Sequence, residues 1–288
     1  MNAYYADGRG RYGTGESYDY FYQCEGEDVP ILTSSDGLWT YIADEEKGGI
    51  ELLRYNGDVI HIVVPQMVDG KQVVSLDSTF DGFYELKSAV VPDGVISVIG
   101  AFYGCEELEQ VTLPDSVEDL EYALNSCYAL KDVKIPARAR YFRNAFSGTG
   151  LEHIVFPPET EDISAAFCGS EVLRSVVIPG SVTDMSEAFS DCEALTSVTL
   201  EEGITEIGDY AFSDCTALKE LKIPASVTTF GKDCVGIMEI REYMDSRKMA
   251  YKIKGYQVVP GFQIIGTAGS AAEEYAREHG ISFVPTGK

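Results

Sequence analysis

Seven cysteines and three histidines are the side chains of this 288-residue sequence best suited to nucleophilic or metal chemistry. No two cysteines are spaced C-x-x-C, so the usual zinc and redox motifs are absent. Four cysteines instead share one column of a repeat, and the same column also holds Phe83, Thr149 and Ser170. A column that accepts Thr and Ser in one chain mostly requires a small buried side chain, which predicts a ladder of thiols. Disulfides between neighbouring coils are the alternative. The four cysteines of the column are Cys105, Cys127, Cys192 and Cys215.

Carboxylates are abundant but follow no catalytic or metal-binding pattern. The 47 acidic residues form several clusters, and none has the alternating Asp or Asn, glycine and distant Glu of a calcium loop. Gly8, Gly10 and Gly13 satisfy G-x-G-x-x-G, but no strand precedes them and no helix follows, so we interpret them as a loop. We therefore predict no catalytic residue, no metal site and no cofactor. A glycosidase pair formed by carboxylates far apart in sequence stays open as an alternative.

The charge balance limits the partners of the chain. Lys plus Arg total 22 and Asp plus Glu total 47, which gives a net charge of −25. Such a charge argues against nucleic acid and against an anionic membrane surface as the main partner. No stretch approaches the roughly 18 to 20 consecutive apolar residues of a membrane span, so we expect no direct membrane insertion.

A repeat of about 22 residues fills the middle of the chain, and three of its columns stay in phase over seven copies. The first column is aromatic or Leu: Phe80, Phe102, Leu124, Phe146, Phe167, Phe189 and Phe212. The second is Leu86, Leu108, Leu130, Leu151, Leu173, Leu195 and Leu218. The third is Pro92, Pro114, Pro136, Pro157, Pro179, Glu201 and Pro224. The spacing between successive copies changes in all three columns together, which places a one-residue deletion between Phe146 and Leu151 and an extra residue between Glu201 and Phe212.

Each copy predicts a short strand with one face turned inward. In the copy at 181–202, the spacing of Leu195, Val198 and Leu200 puts Val198 and Leu200 on one face of a strand. Proline after the strand ends the hydrogen-bonded ladder in most copies. One unit cannot bury its own apolar face, so the copies must stack into a solenoid with specialised ends.

These residues resemble the BspA-like leucine-rich-repeat family. The matching copies are AFYGCEELEQVTLP (101–114), AFSDCEALTSVTLE (188–201) and AFSDCTALKELKIP (211–224). The resemblance implies a leucine-rich-repeat solenoid of about seven to eight repeats, with short strands in a curved sheet and helical, irregular or second-strand segments on the other side. It also implies a bacterial surface or secreted protein that adheres to macromolecules. Copies 138–158 and 159–180 depart from the pattern at Thr149 and Ser170, which leaves the fold intact but predicts a local change in shape.

The chain is expected to divide into four parts. They are a flexible Tyr- and Gly-rich arm at 1–30, an N-terminal β cap at 31–72, the solenoid at 73–236 and a C-terminal cap at 237–288. In the last part a short helix is predicted over 270–279, because Ser270 and Glu273 match a capping box and Gly280 fits a helix end.

The outward positions of the repeat strands predict a binding surface. Two rows of side chains should cover one face of the stacked sheet, and Val155 and Val177 place adjacent apolar groups on it. β-branched residues also suit strands for reasons unrelated to binding. The predicted site residues are Gln110, Thr112, Asp132, Lys134, His153, Val155, Ser175, Val177, Ser197, Thr199, Glu220 and Lys222.

Three functions are compatible with the sequence. The first is a non-catalytic adhesion module that binds an unidentified protein or glycan through this face. The second is an intracellular protein-interaction scaffold, since residues 1–23 lack the parts of an export signal and unpaired thiols suit a reducing compartment. The third is a carbohydrate-active enzyme that uses an unrecognised carboxylate pair.

Overall fold

A computed structural model describes residues 30–243 and 251–287. The predicted arm up to residue 29, with the glycine pattern and Cys24, lies outside the described residues. The strands and the helix in chain order are β1 (Leu32–Thr33), β2 (Trp39–Asp44), β3 (Gly49–Tyr55), β4 (His61–Val63), β5 (Met67–Val68), β6 (Lys71–Ser75), β7 (Ser88–Val90), β8 (Gln110–Thr112), β9 (His153–Val155), β10 (Ser175–Ile178), β11 (Ser197–Leu200), β12 (Glu206–Ile207), β13 (Glu220–Lys222), β14 (Thr229–Phe230), β15 (Ile237–Tyr243), β16 (Tyr251–Val258), β17 (Gln263–Gly266), α1 (Ala271–His279) and β18 (Ser282–Pro285).

The chain winds into a solenoid of about ten turns, which confirms the predicted fold class. One side of the stack, which we call the strand side, consists of short parallel strands one turn apart. They form three groups in the orders β4-β7-β8, β9-β10-β11 and β13-β17-β18. Within the repeats the paired residues are 22 positions apart, as in the register of Ser175 with Ser197 and with His153. At the ends of the stack the separation differs, with 27 positions between His61 and Ser88 and 43 between Glu220 and Gln263. The repeat length is therefore the length of one turn.

The second side of each turn is held by single-residue parallel bridges. They connect Ser75, Ser97, Asp119, Tyr141, Asp162 and Asp184 in succession. The pairing of β12 with β14 continues this ladder toward the C-terminus. The turns are thus joined on two sides, and the interior between them holds the apolar columns.

The third side is a corner built around the aromatic column. In every copy the residue two before the column residue and the residue two after it have positive φ. Around Phe102 these are Gly100 and Gly104, whereas around Phe189 they are Glu187 and Asp191. The amide groups of these residues and of the column residue between them donate to carbonyls of the next turn, as in Glu187 N to Asp209 O at 2.8 Å. The left-handed conformation costs a non-glycine residue about 1–2 kcal/mol, so neighbouring turns must compensate for it.

The aromatic column forms one aligned, fully buried file. Successive rings stack at 5.0 Å between the centroids of Phe146 and Phe167, 6.1 Å between Phe167 and Phe189, and 5.3 Å between Phe189 and Phe212. All four side chains are fully buried, as is Leu124, which takes the place of a ring in its turn. Each ring is covered by the turns above and below it, as a solenoid core requires.

The predicted N-terminal cap contains two kinds of structure. Its strands form a sheet in the order β1-β2-β3-β6-β5, and Trp39 and Tyr41 bury their rings beneath it. Within the same range, β4 pairs in parallel with β7 as the first strand of the solenoid. The boundary between cap and solenoid at residue 72 stays a prediction, because residues 31–72 contain both strands of the cap sheet and β4, the first strand of the solenoid.

The C-terminal part adds a β-ribbon and two further turns. Strands β15 and β16 form an antiparallel pair, and β17 and β18 then extend the strand side beyond β13. Helix α1 connects these last two strands and packs Tyr275 and Ala276 into the end of the core. Among the described residues no helix is long and apolar enough to cross a membrane.

The helix ends as predicted but begins differently. Gly280 has φ 70° and donates its amide to Ala276 and Arg277 carbonyls, which matches a left-handed helix end. The predicted capping box is wrong: the Ser270 hydroxyl makes no cap hydrogen bond, and the Glu273 carboxylate accepts from the amide of Gly269 at 2.5 Å. The carboxylate thus binds one residue earlier than the motif places it.

Removing one ring from the file should open a cavity that the neighbouring turns cannot fill. We expect Phe189→Ala to lower the free energy of unfolding by about 3–5 kcal/mol. Phe189→Leu should cost about 1 kcal/mol, because Leu124 already occupies the equivalent position. Denaturant unfolding of both variants measures the difference. Equal stability of the Ala and Leu variants would contradict the close packing of the file.

Candidate functional site

The candidate site is the outward surface of the strand side, which we call the sheet face. Its strands alternate as predicted: in β8, β9 and β13 the middle residue is buried and the two flanking residues are exposed. The buried residues Val111, Ile154 and Leu221 pack in the core and hold their neighbours outward. The inward packing therefore decides which side chains are available to a partner.

The register aligns the predicted residues into two rows over the central strands. His153, Ser175 and Ser197 are paired across β9, β10 and β11. Val155, Val177 and Thr199 are paired in the same way, one row further along. Val155 exposes 66% of its surface, whereas Val177 is partly buried, so the apolar character of the row depends mainly on Val155.

The sheet face is not continuous, contrary to the expectation of a single sheet. Asp132 and Lys134 are exposed or partly exposed, but the segment around them forms no strand and pairs with neither β8 nor β9. Strands β11 and β13 are likewise unpaired with each other, so Glu220 and Lys222 belong to a separate group. The predicted residues on strands therefore fall into three groups. Gln110 and Thr112 belong to the first, on β8.

The interruptions lie close to changes in repeat length. The deletion before Leu151 separates Lys134 from β9, and the extra residue after Glu201 separates β11 from β13. A change in repeat length does not by itself break a strand pair, because β4 pairs with β7 over 27 positions and β17 pairs with β18 over 19 positions.

A shallow depression of about 230 Å³ marks the first interruption. It is lined by Asp132, Val133, Ile135, Leu151, His153, Ile154 and Val155. Asp132 is the only carboxylate among these residues, whereas glycoside hydrolysis needs two. Lys134 lies in the chain between Val133 and Ile135, which line the depression. Its ammonium group donates a hydrogen bond to Asp115 Oδ1 at 3.0 Å, and this bond lowers the pKa of the Asp115 carboxyl.

Two histidine–serine pairs lie on the sheet face. His153 Nδ1 is 2.7 Å from Ser175 Oγ, and His61 Nδ1 is 2.8 Å from Ser88 Oγ. Sequence reasoning missed His61 and Val63 as site residues because their strand was assigned to the cap. A signal was present: HIVVP at 61–65 repeats HIVFP at 153–157. Val63 exposes 74% of its surface, so the apolar row begins before the first predicted residue.

The cysteine column forms the predicted thiol ladder. The thiols of Cys105, Cys127, Cys192 and Cys215 donate to the carbonyls of Phe80, Phe102, Phe167 and Phe189 in the preceding turn, at 3.1–3.3 Å. The six described cysteines form no disulfide. Burial raises the pKa of the Cys105 thiol to about 12 and that of Cys127 well above its ordinary value. Such thiols are structural, because a nucleophilic cysteine requires a lowered pKa.

Two carboxyl groups whose pKa values are raised to about 6 lie away from the sheet face. Burial raises the pKa of Asp81, beside the aromatic corner, to about 6. Burial likewise raises the pKa of Asp119, on the second side, to about 6. Within the described ranges, no group of three or more His, Cys, Asp or Glu side chains is arranged to hold a metal ion.

The fold and the sheet face together define a leucine-rich-repeat protein. The family model described as "BspA type Leucine rich repeat region" matches six copies over residues 76–187 and 142–250, which is more than half of the chain. The chain therefore belongs to the BspA-type leucine-rich-repeat family, as the sequence resemblance predicted.

Solved structures agree with this fold. A leucine-rich repeat protein from Bacteroides ovatus ATCC 8483 is similar with a TM-score of 0.60 and 24% identity, covering 84% of this chain and 70% of that protein. A leucine rich cell surface protein from Faecalibacterium prausnitzii A2-165 has a TM-score of 0.50 and 24% identity, covering 84% and 71%. A search of curated proteins finds no match to this sequence.

Thiol reactivity tests the ladder. In the native protein, a thiol reagent should react faster with the partly exposed Cys168 than with any other described cysteine, and more slowly than with a free thiol, because burial raises the pKa of Cys168 to about 12. The five buried thiols should react only after unfolding in concentrated guanidinium chloride, which provides the control. Reaction sites are identified by peptide mass analysis. Rapid native labelling of Cys127 or Cys192 would contradict the buried ladder.

The raised pKa of Asp81 predicts a stability change with pH. Because the folded state binds this proton more tightly than the unfolded state, the group favours folding most below about pH 4, and this contribution is lost as pH rises toward 6. Asp81→Asn should therefore stabilise the protein at pH 7 by about 1 kcal/mol, allowing for partial exposure, and have little effect below pH 4. Denaturant unfolding of both proteins across this pH range measures the difference. A variant that is less stable than the wild type at pH 7 would contradict the raised pKa of Asp81.

Proposed function

We propose that this protein is a non-catalytic binding or adhesion module that recognises a protein or a glycan through the sheet face. The observation that supports this most directly is the exposed apolar side chain of Val155, which lies in register beside the polar pair of His153 and Ser175. Such a combination offers both apolar contact and hydrogen bonds to a ligand. The same combination of groups occurs at Val63, His61 and Ser88.

Family membership supports the same function. Repeat solenoids present extended surfaces to macromolecular partners. The family resemblance implies a surface or secreted protein, and the similar Faecalibacterium prausnitzii protein is described as a leucine rich cell surface protein. We accordingly propose a surface or secreted location. The charge of −25 favours a neutral or basic ligand over a polyanion.

Non-catalytic binding agrees with the chemistry of the face. The depression beside Val155 contains one carboxylate, and the thiols of Cys127 and Cys192, whose pKa values burial raises, lie buried in the stack. A binding role requires only the exposed side chains and their fixed spacing, both of which the repeat supplies.

The proposal is tested by substituting outward residues of the row that contains Val155 with residue types that preserve the fold. The variant Lys134→Thr/Val155→Lys/Val177→Thr uses residue types that already occupy this row, at Thr112, Thr199 and Lys222. Binding is screened on a glycan array and on immobilised host matrix proteins, and hits are quantified by surface plasmon resonance. We expect at least about tenfold weaker binding, which corresponds to about 1.4 kcal/mol.

A matched control places substitutions on the second side of the stack. Glu118→Thr/Thr205→Glu moves one charge between exposed residues beside the bridges, keeps the net charge as the sheet-face variant does, and should leave affinity unchanged. Unchanged affinity of the sheet-face variant, or equal loss in both variants, would show that the partner binds elsewhere. Absence of binding to every probe by the wild-type chain would contradict adhesion.

A further inference from the structure

The ribbon formed by β15 and β16 is unlike the rest of the stack. Among the described residues its two strands pair only with each other. Four consecutive residues of β16, from Tyr251 to Lys254, are exposed, so neither face of that strand is sealed. A two-stranded ribbon is marginally stable by itself. Contacts outside the ribbon must therefore contribute to holding it in place.

One of these contacts is a guanidinium group that lies over the corner of two turns. Arg241 donates to Asp191, lies 3.3 Å from Asp214 Oδ2, and is bound by Glu239 of its own strand at 2.9 Å. Asp191 and Asp214 are the positive-φ residues that follow Phe189 and Phe212. The inner face of the ribbon thus covers the corner of the last repeats.

The outer face of the ribbon, opposite Arg241, is apolar and carries a net positive charge. It carries Ile240, which exposes 42% of its surface, together with the exposed Lys252, Lys254 and Glu242. Lys254 Nζ lies 2.6 Å from Glu242 Oε2, which places it on the side of Glu242 and away from Arg241. Lys252 and Lys254 with Glu242 give this face a charge of 2 − 1, or +1, in a chain whose net charge is −25.

The same corner is open and acidic in the first repeats. There Tyr84 exposes 62% of its surface beside the exposed Glu85 and Glu106 of successive turns. We call these three residues the acidic corner. In these turns Gly82 and Gly104 stand where Asp191 and Asp214 stand later, so no Asp is available to bind a guanidinium group in the same way.

The described part of the ribbon cannot reach the acidic corner of its own chain. Tyr243 is two residues beyond Arg241, about 7 Å along the strand. The turn that contains Gly104 lies four turns from Asp191, about 19 Å at the spacing of neighbouring strands. A ribbon that docks on the acidic corner in this way must come from another molecule.

We propose that the outer face of the ribbon docks on the acidic corner of a second copy of this chain. Ile240 packs on the Tyr84 ring, and Lys252 and Lys254 face Glu85 and Glu106. The two surfaces differ, so the contact is head-to-tail and each copy retains one open surface for the next. At about 0.15 M salt the Debye length is about 8 Å, so repulsion between distant acidic groups is screened while adjacent pairs still attract.

Sedimentation velocity of the full chain tests this proposal with paired charge reversals. At concentrations up to roughly 500 µM we expect reversible self-association of the strength typical of a small interface. Lys252→Glu/Lys254→Glu and, separately, Glu85→Lys/Glu106→Lys should each weaken it at least tenfold. Mixing the two variants should restore association, because each retains the half of the wild-type contact that the other has lost. Unchanged thermal unfolding confirms that each variant is folded.

Three outcomes would overturn the proposal. A wild-type chain that stays monomeric throughout the range has no such contact. Association that survives both reversals, or that mixing does not restore, uses another surface. A monomeric chain that cosediments with phosphatidylcholine vesicles through its ribbon would show that a lipid surface is the occupant. Lys131→Glu/Arg138→Glu changes the net charge as Lys252→Glu/Lys254→Glu does, at exposed positions outside both surfaces, and should associate as the wild type does.

Discussion

The structure depends on burial between neighbouring turns. No turn encloses its own aromatic side chain, and each ring of the Phe146–Phe212 file is sealed by the turns on both sides. The corner around the file makes the dependence stronger. Tyr122, Ala165, Glu187 and Tyr210 adopt a left-handed backbone that costs non-glycine residues free energy, while their amides bind the next turn. The cysteine thiols add one more bond between turns, to the carbonyls of the aromatic residues.

The same constraint shapes the surface that we propose for binding. Inward residues are sealed by stacking, so the outward residues of a strand are held at the spacing of the turns. This order is interrupted between Lys134 and Val155 and between Leu200 and Glu220. The interruptions divide the sheet face into platforms of three strands and create the depression beside His153. Irregular repeats therefore give a regular scaffold local differences that a ligand can recognise.

Periodicity made the fold predictable, and departures from periodicity limited the prediction of the site. Seven copies in phase identify the solenoid, the aromatic file and the buried thiols, because each column must satisfy the same environment in every turn. His61 was missed since its turn lacks the Cys and Leu columns, although its HIVVP segment matches the one at 153–157. Glu187 and Ala165 adopt a left-handed backbone that neither residue type favours, because hydrogen bonds to the next turn impose it. The residue types alone therefore do not predict this conformation. The unusual cap of α1 depends on where the Glu273 carboxylate lies in three dimensions, which spacing alone does not determine.

Hydrogen exchange at the aromatic corner is the most direct measurement of this dependence on neighbouring turns. The amides of Phe102, Phe167 and Phe189, each of which donates to the following turn, should be protected as strongly as those of the paired strands. Protection should be greatest in the central turns and decrease toward both ends of the stack, as expected when stability is shared between neighbours. Rapid exchange of these three amides while the strand amides stay protected would show that the corner is not bound to the next turn, and would contradict the central role of stacking in this fold.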